Sequence, residues 1–414
     1  MSNLSSHNLN SNTVNNSRIT SCIGQRTIVP GGLNLPVNQC VGMNMKPETF
    51  IINSSTTPLF GSSHMYNISE KNIVVHGATL KLELPPLSGT NTFSGVYVPG
   101  QFFPERCNIV INGQVFDVIV DVENFLRLNL YKTDADRLSS NQGSGLYNSI
   151  PQRLANISST TVNNIILIPL KCSFFDVVQP AILNDAHAIQ MNIVMASQSQ
   201  CVDVISGTLT SNSNIISSSL ILKITRLSVE DSMMRLKSMQ VRRFDTIYHS
   251  IIPTTYTASA GSTSSTFVLS NLMNQNVMQL LVVLRSSKQG AQQYNFMRVN
   301  TMNILDGASN SLTGGPLNSA YLANIQNRDI SVSSYNTETS MGLNNNGANY
   351  YCFPFSCDPV ASLQNGQILS NRRMMGNESV VITYVSALTS SIIVDVFAYV
   401  ESYLQQGVSG YIKV

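Results

Sequence analysis

The sequence predicts an all-β chain made of two antiparallel sandwiches in tandem, and three observations point there. Short segments alternate apolar and polar residues, as in Ala78-Thr79-Leu80-Lys81-Leu82-Glu83-Leu84; a period of two marks a half-buried strand. Turn chemistry separates these segments, most plainly at Asn112-Gly113, a pair that accepts the positive φ angles of a type I′ hairpin turn. The same plan of strands and long polar loops then occurs twice, on either side of a charged segment between about Ser228 and Phe244. A chain of 414 residues has room for two large domains.

Residues 1–46 are rich in Asn, Ser and Gly and show no hydrophobic period. They read as an extended arm that orders only on assembly. The pattern becomes β from Pro47. Ile73-Val74-Val75 runs into the alternating segment, which Pro85-Pro86 stops. Cys107 to Phe116 reads as a hairpin about Asn112-Gly113. Val122 to Leu130 carries apolar residues at a spacing that suits a short helix. Asn164 to Ile168, Ala188 to Met195 and Ser219 to Leu227 are further strands, and Pro169 to Asp176 is an aromatic loop. Ser228 to Lys237 reads as a short helix, with Ser228 as N-cap, acids in the first turn and bases in the last. The second half offers Thr266 to Leu269, Val277 to Leu284, Phe296 to Ile304, Tyr350 to Phe355, Val380 to Tyr384 and Ile392 to Val400 as strands. The expected division is an arm at 1–46, a first domain at 47–228, a linker at 229–244, a second domain at 245–402 and a tail at 403–414. Many short strands with turn chemistry between them imply a Greek-key sandwich or barrel.

Composition narrows the function. Charged residues are 11% of the chain, against about 25% in an average soluble domain. With a net charge of +2, self-repulsion does little to keep copies apart. This suits a protein that packs against many copies of itself. The near-neutral balance argues against a dedicated nucleic-acid binder, which carries a basic face. No basic stretch followed by an apolar run opens the sequence, so no secretory signal is expected. No apolar run approaches the ~20 residues that a membrane-spanning helix needs. Seven scattered cysteines, Cys22, Cys40, Cys107, Cys172, Cys201, Cys352 and Cys357, do not form a disulfide framework and read as reduced, mostly buried thiols.

Four segments together resemble the double jelly-roll major capsid proteins of the tectivirus-like, nucleocytoplasmic large DNA virus and virophage lineage. Arg106 to Asp117 is similar to that family's strand, Gly-Gln, strand hairpin. Ile168-Pro169-Leu170, through Phe174-Phe175, to Ala188-Ile189-Gln190-Met191-Asn192-Ile193 is similar to its proline-aromatic loop and the following strand. Ser228 to Phe244 sits where the family joins its two rolls. Tyr351-Cys352-Phe353-Pro354-Phe355-Ser356, with Asp358-Pro359 and Ser362 to Gly366, resembles the aromatic strand and turn of the second roll. The absence of Trp departs from the family's habit in its first roll. The resemblance implies two eight-stranded antiparallel jelly rolls with short linking helices, and a homotrimer whose six rolls form a pseudo-hexagon. It further implies neighbouring capsomers and minor capsid or penton proteins as partners, an internal membrane or minor proteins beneath the shell, a place in the virion and synthesis in the host cytoplasm.

A search for chemistry yields no catalytic, cofactor-binding or metal-ligating assignment. His7, His64, His76, His187 and His249 are dispersed, and Asp185-Ala186-His187 reads as an ordinary loop. Cys352 and Cys357 have no second ligand pair for zinc. Asp117, Asp121 and Glu123, and Asp134 and Asp136, read as solvated loop acids lacking the glycine-punctuated calcium loop. No phosphate-binding glycine loop is present, and Gly314-Gly315-Pro316 lacks the strand-to-helix setting. Arg235, Lys237, Arg242 and Arg243 suit a subunit contact or a helix end. Two other functions stand as alternatives. One is a minor capsid or scaffold protein of the same lineage. The other is a carbohydrate-binding β-sandwich protein, which the absence of Trp platforms and paired acids disfavours.

Overall fold

A computed structural model describes residues 46–98, 100–124, 164–172, 174–175, 182–183, 189–230, 233, 244–286, 296–322, 350–355, 372–407 and 410–413. In the first half the strands are β1 (Lys46–Asn53), β2 (Ser63–Ile68), β3 (Ile73–Leu84), β4 (Gly89–Tyr97), β5 (Pro104–Ile111), β6 (Gln114–Val120), β7 (Asn164–Leu170), β8 (Ile182–Leu183), β9 (Ile189–Met195), β10 (Val202–Leu209) and β11 (Ser217–Arg226). In the second they are β12 (Phe244–Ala258), β13 (Ser264–Val268), β14 (Asn276–Ser286), β15 (Val299–Leu305), β16 (Leu317–Asn318), β17 (Tyr350–Pro354), β18 (Arg372–Arg373), β19 (Ser379–Tyr384), β20 (Ile392–Gly407) and β21 (Gly410–Lys413).

The two halves share one topology. With the short or extra strands β4, β8 and β10 set aside, eight strands of the first half form two sheets, β1-β11-β3-β7 and β2-β9-β5-β6. Counted along the chain, that is first-eighth-third-sixth and second-seventh-fourth-fifth. With β18 and β21 set aside, the second half repeats the order as β12-β20-β14-β17 and β13-β19-β15-β16. Every pairing is antiparallel. This is the eight-stranded, doubled Greek key of a jelly roll, present twice.

The strands form where the alternation places them. In β3, Ala78, Leu80, Leu82 and Leu84 are buried while Thr79, Lys81 and Glu83 face outward. In β9, Ile189, Met191, Ile193 and Met195 turn inward together. The turn between β5 and β6 has Asn112 at φ 50° and Gly113 at φ 83°, the two positive angles that a type I′ turn requires. β4 and β10 pair with each other outside both sheets of the first roll. Their tight ribbon needs Gly207, at φ +74°, where an added Cβ would stand 2.5 Å from the Thr90 carbonyl.

Some elements differ from the sequence expectation. Pro169 and Leu170, expected in a loop, complete β7. That strand pairs only with β3 and β7 is thus a sheet edge, where a residue without an N–H is tolerated. Of the expected helix from Val122 to Leu130, residues 121–124 form a helical turn and the rest lie outside the described residues. Of the one expected from Ser228 to Lys237, residues 229, 230 and 233 are helical and 231–232 and 234–237 lie outside them. Residues 403–413, set apart in the sequence as a tail, carry the end of β20 and then β21, which folds back on it.

Candidate functional site: the junction between the rolls

β14 reads Val277-Met278-Gln279-Leu280-Leu281-Val282-Val283-Leu284, an almost unbroken apolar run whose eight residues are all buried. A sheet shows such a run only when both its faces are covered. Leu280, Val282, Leu284, Val394 and Val396 point into the core of the second roll. Leu281, Val283, Phe397, Tyr399 and Cys352 point the other way and join the core of the first roll. The rolls therefore share one continuous apolar junction.

The cover comes from the fifth strand of the first roll and the turn after it. β6 lies against β12, and residues 121–124 follow at once as the helical turn. Val122 and Glu123 are fully buried. Tyr399 donates its hydroxyl to Glu123 Oε1 at 2.9 Å. Arg285 reaches across to Asp121 at 3.9 Å and holds Asp395 in its own sheet at 2.6 Å, where Thr255 also donates to the carboxylate at 2.8 Å. Burial pushes the Asp121 carboxyl up to about 6, against the pull of Arg285 and the Val122 N–H. Asn124 fastens the turn to the end of β7, donating to the Pro169 carbonyl at 3.1 Å and accepting from the Lys171 N–H at 3.0 Å.

These contacts correct the reading of Asp117, Asp121 and Glu123 as solvated loop acids. Asp117 is 2% exposed and Glu123 0%. Asp117 accepts the Phe174 N–H at 3.2 Å, Asp121 faces Arg285 and Glu123 accepts from Tyr399. The acids anchor the connection between β6 and β7 against its neighbours, so they are buried with partners as buried charge must be. Nothing local in the sequence marks that burial, since the partners Tyr399 and Arg285 are far away in the chain.

The other residues singled out in the sequence do not gather. His64 is buried, with Nδ1 3.0 Å from Ser218 Oγ and Nε2 3.0 Å from the Leu59 carbonyl, and Tyr66 also binds Ser218 at 2.5 Å. Burial lowers the His64 pKa. This histidine-serine pair resembles a nucleophile and its base, but it is sealed in the first core and serves packing. His76 binds Thr225 at 2.7 Å at the other end of the sheet. Cys107, Cys172, Cys201 and Cys352 are free and buried, and burial raises the thiol pKa of Cys107, Cys201 and Cys352, which leaves them poor nucleophiles. Gly314 and Gly315 take positive φ in a surface turn between β15 and β16. His7, His187, Asp134, Asp136, Asp185, Cys22, Cys40, Cys357, Arg235, Lys237, Arg242 and Arg243 lie outside the described residues, and of His249 only the backbone, in β12, lies within them. Among the described residues no group of three His, Cys, Asp or Glu is placed to hold a metal, and no helix is long and apolar enough to cross a membrane.

No protein-family model matches the sequence, and no curated protein matches it. Solved structures do match in shape. Chain and structure superpose for PBCV-1 VP54, fitted into a reconstruction of the virophage Sputnik, with a TM-score of 0.66 and 12% identity over 90% of this chain and 97% of that one. The Faustovirus major capsid protein gives 0.62 at 9% identity, covering 90% and 92%. The mavirus major capsid protein gives 0.52 at 11% identity, covering 93% and 94%. At these identities the likeness is one of fold. The fold is the double jelly roll that these viral major capsid proteins share.

Proposed function

We propose that the chain is a viral major capsid protein, a homotrimer whose six rolls form a pseudo-hexagonal capsomer that tiles an icosahedral shell. One observation carries the reading. The chain is two copies of one eight-stranded roll and is matched nearly end to end by major capsid proteins, with about nine-tenths or more of both chains covered. The low charge and the sealed polar clusters favour a structural role over an enzymatic one.

On this reading the protein resides in the virion and is made in the host cytoplasm. Its partners are neighbouring capsomers and minor capsid or penton proteins, above an internal membrane or a layer of minor proteins, with no specific nucleic-acid contact. The arm before β1 orders on assembly, and the segment between β11 and β12 links the two rolls. Mass spectrometry of purified virions tests the role: this chain should be the most abundant shell component. Its absence from mature particles would favour a scaffold protein of the same lineage.

A further inference from the structure

The two rolls share one topology but differ at the end where the chain enters and leaves them. In the first roll the sheet stops evenly. Lys46, the first residue of β1, pairs with Arg226, and Arg226 pairs with Ile73, the first residue of β3. In the second roll β12 and β20 run on past their neighbour. β14 begins its pairing with β20 where Val277 meets Val400, and Val400 stands opposite Ser250 of β12. Residues 244–249 of β12 and their partners at 401–406 of β20 therefore lie beyond the sheet. At about 3.4 Å per residue they form a ribbon that projects about 20 Å.

Three strands make up this ribbon. β12 takes one edge of β20 along its whole length, so β21, which pairs with Leu404 to Gly407, lies along the other. The outer edges of the ribbon are thus β21 and β12. β21 is four residues long, and a short edge is one way in which proteins blunt an open strand. β12 has no such protection. It is fifteen residues long with proline only at Pro253, and it follows β20 without a bulge. Each of residues 244–249 therefore keeps its N–H. Among the described residues β12 pairs with β20 alone. An open edge of this length is a template for another extended chain, and a few strands standing clear of their sandwich are marginal without support.

We infer that the arm supplies this support: Gln25-Arg26-Thr27-Ile28-Val29 adds to the edge of β12 at 244–249 as a further strand of the ribbon. The inference does not depend on the capsomer reading and adds to it the place where the arm orders. Strand addition is carried by backbone hydrogen bonds, so the segment needs no hydrophobic period, only N–H groups and a preference for extended backbone. Thr27, Ile28 and Val29 are β-branched and have that preference. Gly24 precedes the run and Pro30-Gly31-Gly32 closes it, which are boundaries of the kind that delimit a short strand. The reach is sufficient. Val29 lies 17 residues before Lys46, or up to about 56 Å of extended chain. The start of β1 and the start of β12 are held near each other, because Lys46 pairs with Arg226 and only residues 227–243 separate Arg226 from β12. The tether keeps the strand at a high effective concentration about the edge.

The test is amide hydrogen exchange on the full chain in its native oligomeric state, read by mass spectrometry of peptides, with folding followed by thermal melt. Thr27→Pro with Ile28→Pro removes one N–H on each side of the arm strand, so the effect does not depend on which side faces β12. Thr27→Val with Ile28→Val keeps both N–H groups and the β-branched character. In wild type and in the valine variant, residues 25–29 and 244–249 should exchange about tenfold more slowly than in the proline variant. The melt and the exchange of β14 should be alike in all three. Protection kept on dilution would put the arm on its own copy's edge, and protection lost with the oligomer would put it on a neighbour's; both support the pairing. Protection of 244–249 that survives the prolines would mean that another segment covers the edge, and the inference fails. It fails equally if either stretch exchanges freely in wild type. A monomeric wild type with both stretches protected would sink the capsomer reading and leave this inference standing.

Discussion

The shared junction predicts that two adjacent leucines of one strand cost the same to truncate, for different reasons. Leu280 and Leu281 lie side by side on β14, both 0% exposed. Leu280 points into the second roll's own core, whereas Leu281 points into the core it shares with the first. Leu→Ala removes three carbons, worth about 0.8 kcal/mol each in transfer, and leaves a cavity that the close-packed surroundings fill only in part. Each substitution should therefore cost about 3–5 kcal/mol. Were the rolls independent beads on a linker, Leu281 would face solvent and its truncation would cost almost nothing. Chemical denaturation of Leu280→Ala and Leu281→Ala measures both, read as the fall in midpoint at unchanged slope. A Leu281→Ala variant within about 0.5 kcal/mol of wild type, beside a fully destabilised Leu280→Ala, would refute the shared junction.

Further outcomes follow from buried polar groups of the junction and of the first roll's core. Tyr399→Phe should cost about 1–3 kcal/mol, because the buried Glu123 carboxylate loses a donor. Acidification should act through His64, whose pKa is lowered from 6.5 in the folded chain. The unfolded chain then takes up the proton first, so this contribution is complete above about 6.5 and is lost as the pH falls below it; His64→Gln should flatten that part of a stability-against-pH curve. Asp121 has the opposite sign. Its folded pKa of about 6 lies above the ordinary 3.8, so the folded chain takes up the proton first and stability gains as the pH falls from about 6 towards 3.8. Asp121→Asn should abolish that gain, and an unchanged pH profile would contradict the assignment.

The parts of the fold that were legible in the sequence are those whose environment is local. β3, β9 and β11 show their alternation because one face meets the core and the other meets solvent, and Asn112-Gly113 announces its turn by backbone chemistry alone. β4 and β10 left no such trace: most residues of their ribbon are exposed on both sides, so no period develops. β2, with His64 and Tyr66 turned inward, hid its core positions behind polar atoms. β14 was legible as a strand, but the reason for its unbroken apolar run was not. That reason is the first roll, contributed by residues more than a hundred positions away. The burial of Glu123 was illegible for the same cause, since a glutamate reads as solvated until Tyr399 is brought to it.

The most direct test of the account is the purified protein itself, sized in solution and imaged. The capsomer reading predicts a particle of three times 45.2 kDa with a six-lobed outline and an obligate interface, of the class that buries more than about 2,000 Å², at each contact. A stable monomer at micromolar concentration, showing two lobes and no closed ring, would contradict it.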